Sequence, residues 1–155
     1  MNLTLKTATH ADIHDVWMMR LEMQRWEPAP WSLRKDLSER SIAALHCQTM
    51  AWLLDANTCV FLVHHHEDPV GYIVLASGKL MGHGDGATVR VDGWYHRPGY
   101  DKAGRMLAMA AGRLIKKAGI QFIQGCVLES NETMQEYLET HHFQPVGRIY
   151  QREVT

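Results

Sequence analysis

Cysteine is scarce. Cys47, Cys59 and Cys126 are the only three in 155 residues, widely spaced and odd in number. That argues against a disulfide framework and for a reducing compartment. An excess of either charge is also missing: sixteen Lys and Arg face seventeen Asp and Glu, for a formal net charge of −1. No long-range positive field is therefore available to hold nucleic acid or an anionic membrane surface. No stretch approaches the ~20 apolar residues that a membrane span needs. The opening Met1-Asn2-Leu3-Thr4-Leu5-Lys6 lacks the charged-then-apolar order of a secretory leader, so the expected location is cytoplasmic. Repeats, low-complexity tracts and linkers are absent, and the length suits one domain over residues 1–155.

What is present is an ordinary globular composition, 46% hydrophobic and 21% charged, with ten histidines and nine methionines. Leu3 to Lys6 reads as a short strand. Thr9 reads as a helix N-cap with Asp12 as its capping partner, and Ile13, Val16, Trp17 and Leu21 follow at helical spacing. Pro28 and Pro30 end that helix. A second helix is expected from near Ser32 to Asn57, burying Ile42, Leu45, Trp52 and Leu53. The period then changes to strands: Cys59 to Val63, a turn at Glu67-Asp68-Pro69, Val70 to Ala76, and Thr88 to Tyr95 after a glycine-rich loop. Leu107, Ala110, Ala111, Leu114 and Ala118 mark one face of a strong helix closed by Gly119. Phe122 to Leu128 is a strand, Asn131 to His141 a helix and Gly147 to Val154 a last strand. The order β-α-α-β-β-β-α-β-α-β mixes hairpins with a crossover. It implies an α/β (α+β) fold with a mixed, mostly antiparallel central sheet flanked by helices.

That order resembles the GNAT N-acetyltransferase superfamily. The hairpin around Glu67-Asp68-Pro69-Val70-Gly71-Tyr72 is similar to the family's second and third strands, and Val91-Asp92-Gly93-Trp94-Tyr95 to its fourth strand. The helix ending at Gly119, Asn131, and His142-Phe143 with Pro145-Val146-Gly147 resemble its C-terminal half, with His142 where the family usually has glycine. The resemblance implies an acetyl-coenzyme A site and transfer of the acetyl group to an amine, with no metal.

The family's pyrophosphate loop resembles Arg/Gln-x-x-Gly-x-Gly/Ala, where N–H groups at a helix N-terminus cradle the phosphates. Here the segment is Pro98 to Leu107, and it departs from that pattern. With Gly104 as the final glycine, Gly99 stands at the arginine and Lys102 at the first glycine. Anchored on Pro98 and Tyr100, the loop is about two residues short and Asp101 stands at the arginine. The implied coenzyme A residues are Trp94, Tyr95, Lys102, Ala103, Gly104, Arg105 and Asn131. Lys102 and Arg105 carry phosphate contacts, and Gly104 permits close approach.

Acyl transfer needs a base for the amine, a donor for the thioester oxygen and an acid for the leaving thiolate. By resemblance, a backbone N–H between Trp94 and His96 serves the oxygen. The acid belongs seven residues after Asn131, at Leu138; its neighbour Tyr137 is the candidate. Asp92 or His96 is the candidate base, unless water serves. Glu22, Trp26 and Trp31 are the candidate acceptor-site residues, the tryptophans suiting an apolar or cationic amine. The acceptor itself, small molecule or protein, is left open. A second reading is a GNAT-like domain that no longer acetylates and serves as a ligand-binding or assembly module. A homodimer through a final strand near Arg148 to Glu153 is expected by analogy with the family. His64-His65-His66 offers at most two side chains to one face of a strand, which argues against a zinc site.

Overall fold

The structure is a computed structural model that describes residues 2–26, 39–78, 87–126 and 132–145. In chain order these form β1 (Leu3–Thr7), α1 (Ile13–Trp26) behind a short 3-10 turn, α2 (Glu39–Leu54), β2 (Thr58–His65), β3 (Asp68–Ser77), β4 (Thr88–His96), α3 (Asp101–Lys117), β5 (Phe122–Gly125) and α4 (Glu132–Thr140). Among the described residues the strands make one sheet in the order β1-β2-β3-β4-β5. Every neighbouring pair is antiparallel except β4 with β5, which is parallel and is joined through α3. The expected strand over 147–154 lies outside the described residues.

Two cores follow from strand alternation. On one face Ile73, Leu75, Val89 and Val63 pack under Ala103, Leu107 and Ala111 of α3. On the other, Val60, Leu62, Tyr72 and Val74 pack under Val16 and Met19 of α1, with Trp52 of α2 beside them. Leu62 and Leu107 are fully buried, each such side chain contributing roughly 1.5–3 kcal/mol. Small residues on α3 at Ala103, Gly104, Ala110 and Ala111 let this helix lie close to the sheet. Gly119, at φ 65°, ends it in the left-handed conformation that a helix C-cap asks for.

Three boundaries differ from expectation. The β2–β3 turn is His66-Glu67, because His65 already pairs with Asp68; Asp68 and Pro69 belong to the returning strand. Helix α2 stops at Leu54, where the Asp55 carboxylate accepts from the Asn57 N–H and the Thr58 hydroxyl and turns the chain. Ala118, read as part of the buried face of α3, is exposed beyond its last turn.

Two bulges shape the sheet. Val70 is the extra residue of β3 opposite Val63 and His64. Asp92 is the extra residue of β4 opposite Val74 and Leu75. A bulge bends its strand and increases its twist. The parallel pairing of β4 with β5 runs from Thr88↔Phe122 to Val91↔Gly125, up to the residue before the second bulge. Beyond it, Asp92 to His96 pair only with β3 among the described residues.

Candidate active site

The half of β4 beyond its bulge, which pairs only with β3 among the described residues, has a defined polarity. The Arg97 N–H donates to the Val70 carbonyl on β3 at 2.9 Å. Successive backbone groups face opposite edges of a strand, so Tyr95 also turns toward β3, and the N–H groups of Trp94 and His96 face the open edge. Their side chains face α3, whereas Gly93 and Tyr95 face α1 and α2.

Helix α4 comes to this open edge. The ring of Tyr137 meets Trp94 edge-on, with centroids 5.6 Å apart and planes at 76°. Its other side carries His141, stacked at 4.1 Å, whose Nδ1–H donates to the Tyr137 carbonyl at 2.7 Å. Trp94 Nε1 is buried and has no hydrogen-bond partner among the described residues.

The connection from β4 to α3 is a tight turn. The Tyr100 N–H donates to the Arg97 carbonyl at 3.1 Å. Pro98 presets the second position of that turn, and Gly99, at φ 81°, supplies the left-handed third. Tyr100 caps α3 with no side-chain bond; its carbonyl takes the N–H groups of Ala103 and Gly104. The N–H groups of Asp101 and Lys102 have no acceptor within the helix. Lys102 and Arg105 are exposed beside them, as is Asp101. Two free amides, the positive helix end and two cations suit a pyrophosphate, with the Asp101 carboxylate opposing them.

Gly104 has a different neighbour from the one expected. A Cβ on it would stand 2.6 Å from Cδ2 and 3.0 Å from Nε2 of His96. The histidine ring therefore lies against the first turn of α3 and fills the space that the missing side chain leaves. His96 Nδ1 is 3.3 Å from the Arg97 carbonyl; a carbonyl only accepts, so this contact is a hydrogen bond in the tautomer that carries its proton on Nδ1.

On the opposite face Glu22 of α1 is held by Arg97, with Nε and Nη2 donating to its two oxygens at 2.8 and 2.6 Å. This fork raises the pKa of the guanidinium. The Tyr95 hydroxyl beside it is buried and unbonded among the described residues. Burial first, and the facing Glu22 carboxylate second, push its pKa up. Deeper between the helices, Arg20 stacks on Trp52 at 3.8 Å and donates to Thr49, Gln48 and the Leu45 carbonyl. Burial lowers the pKa of this guanidinium.

Asp92, one of the two candidate bases, is held by its strand neighbour: its two oxygens accept from Arg90 Nε and Nη2 at 3.1 and 2.9 Å. Trp26 is the last residue of α1, its side chain beyond what is described; Trp31 and Asn131 lie outside the described residues.

Known structures share this architecture. Aminoglycoside N-acetyltransferase AAC(6')-Iy, solved with CoA, matches at a TM-score of 0.72 and 14% identity, over 98% of this chain and 95% of that one. A ribosomal-protein-alanine N-acetyltransferase from Brucella melitensis biovar Abortus 2308 matches at 0.66 and 9%, over 99% and 100%. A transcriptional regulator from Bacillus halodurans C-125 matches at 0.73 and 14%, over 99% and 100%. The fold is that of the GNAT acetyltransferases. No family profile and no curated protein sequence matches the chain.

On this GNAT fold, sequence reasoning did not single out Arg97 or Arg20 as site residues. No spacing rule joins Arg97 to Glu22, 75 positions apart. It also missed the Tyr137–His141 stack, although the spacing of four was a visible signal.

Proposed function

We propose that this protein is an N-acetyltransferase that moves an acetyl group from acetyl-coenzyme A to a primary amine. The observation that carries the reading is the placement of Tyr137 against Trp94, at the half of β4 that β5 leaves unpaired. A proton donor and outward-facing N–H groups then lie at one opening, the combination that acyl transfer from a thioester needs.

In this reading the pyrophosphate rests on the Asp101 and Lys102 amides with Lys102 and Arg105, and Ala103 and Gly104 form the wall behind it. The thioester oxygen accepts from the Trp94 or His96 N–H, beside Tyr95; Asn131 is kept from the sequence as a further coenzyme A candidate. The amine nitrogen attacks the acetyl carbon and its proton passes through water to His96 Nε2. The carbon–sulfur bond breaks, and the thiolate takes the Tyr137 phenolic proton, which solvent replaces. Glu22 lines the acceptor side, with Trp26 and Trp31 kept from the sequence as candidates for gripping the amine; the aminoglycoside and protein acceptors named for the structural neighbours offer two amine classes to try.

Calorimetry of acetyl-coenzyme A with the wild type and with Lys102→Ala/Arg105→Ala tests the reading, followed by coenzyme A release on an amine panel. Expected is binding that the double variant weakens at least tenfold, since each charge-assisted contact is worth roughly 1.5–3 kcal/mol. Wild-type protein that fails to bind sinks the proposal. Binding without release on any amine favours the non-catalytic ligand-binding reading.

A further inference from the structure

We infer that Glu22 and Arg97 are positioning residues that hold His96 as its Nδ1–H tautomer, and so direct Nε2 to the first turn of α3. The use of that nitrogen as a base rests on the reading above; the tautomer does not.

Arg97 is anchored on every side. Its N–H donates to Val70 O at 2.9 Å and its carbonyl accepts the Tyr100 N–H at 3.1 Å. The same carbonyl lies 3.3 Å from His96 Nδ1. Its guanidinium makes the fork to Glu22. One residue thus ties the end of β4, the turn, the cap of α3 and helix α1 together. The carbonyl's direction decides which His96 nitrogen is protonated, because an imidazole with no partner samples both tautomers and a fixed acceptor selects one. The ring lies against Gly104, its Cδ2 and Nε2 2.6 and 3.0 Å from where a side chain there would begin. The Glu22 fork restrains the carbonyl from a distance. The two side chains are 27% and 30% exposed, so water contributes to the hold and the effect of breaking it is graded.

The measurement is the long-range nitrogen–proton NMR spectrum of the imidazoles at alkaline pH, where the rings are neutral. His96 is assigned among the ten histidines by loss of its signals in His96→Gln. Wild type should show His96 protonated at Nδ1. Glu22→Gln and Arg97→Gln should each shift the tautomer ratio about fivefold toward Nε2–H. The exchanged pair Glu22→Arg with Arg97→Glu should restore it. Circular dichroism and thermal melts report separately on folding. A wild-type His96 protonated at Nε2, or a ratio unmoved in folded Glu22→Gln, overturns the inference. Loss of coenzyme A binding by the wild type would remove the catalytic use of Nε2 and leave the tautomer result standing.

Discussion

Tyr137 of α4 and Trp94 of β4 meet ring edge to ring face, 5.6 Å between centroids, beyond Val91↔Gly125, the last pair of β4 with β5 among the described residues. The contact joins two segments more than forty residues apart in the chain. It sets the phenol, 38% exposed, at a wet edge rather than in a core. An aromatic residue that serves only packing keeps its value when its hydroxyl is removed; one that donates a proton does not.

Tyr137→Phe is therefore expected to lower turnover about a hundredfold, the size of a general acid's contribution. Its affinity for coenzyme A and its melting temperature should stay as in the wild type. Stopped-time assays of thiol release, paired with calorimetry, separate the two. Equal turnover would leave Tyr137 a packing residue.

Gly104→Ala puts a methyl 2.6 Å from the His96 ring. The expected cost is about 1–3 kcal/mol, as for overpacking elsewhere in protein cores. Adding His96→Ala should recover most of that loss, because the clash is with this one ring. Urea denaturation of the four proteins of the cycle measures the coupling; additive losses would mean that the helix backbone, not His96, resists the methyl.

His142 sits at φ 64°. The Phe143 N–H reaches the Leu138 carbonyl at 2.9 Å and the His142 N–H reaches Glu139 at 3.0 Å. This is the helix-ending arrangement that normally carries glycine. His142→Gly should stabilise the protein by roughly 0.5–1 kcal/mol, the left-handed strain of a side chain less the added freedom of glycine when unfolded. A thermal melt of the two proteins decides it.

Asp12 gives a pH dependence. Burial alone would raise its pKa, but the Lys6 ammonium at 2.6 Å and the Thr9 N–H at 2.9 Å more than reverse this, and the folded value lies below the ordinary one. A depressed carboxylate contributes stability above its unfolded pKa of about 3.9. That contribution disappears as pH falls through the folded value. Asp12→Asn should lose stability at neutral pH and show a shallower fall in stability on acidification. Parallel slopes for the two proteins below about pH 4 would contradict the assignment.

The sequence by itself determined the order of the described elements, from β1 to α4. Helical spacing in Val16 and Leu21 or in Leu107, Ala110 and Ala111 is local information, as are Pro98-Gly99 at a turn and Gly119 at a helix end, and each survived into the structure. It also named Tyr137, His96 and Glu22, because hydroxyl, imidazole and carboxylate are the groups that such chemistry requires. Only the tertiary structure decided what those groups touch. Asp92 was named as a candidate base, and the structure shows both its oxygens on Arg90. Gly104 looked like space for a phosphate until the fold laid His96 on it. Glu22 looked like a solvated helix charge until β4 ended with Arg97 beside it. Local pattern follows from the backbone's own periods of 3.6 and 2. Partners across 75 residues follow from how bent strands and packed helices meet, which no period in the chain encodes.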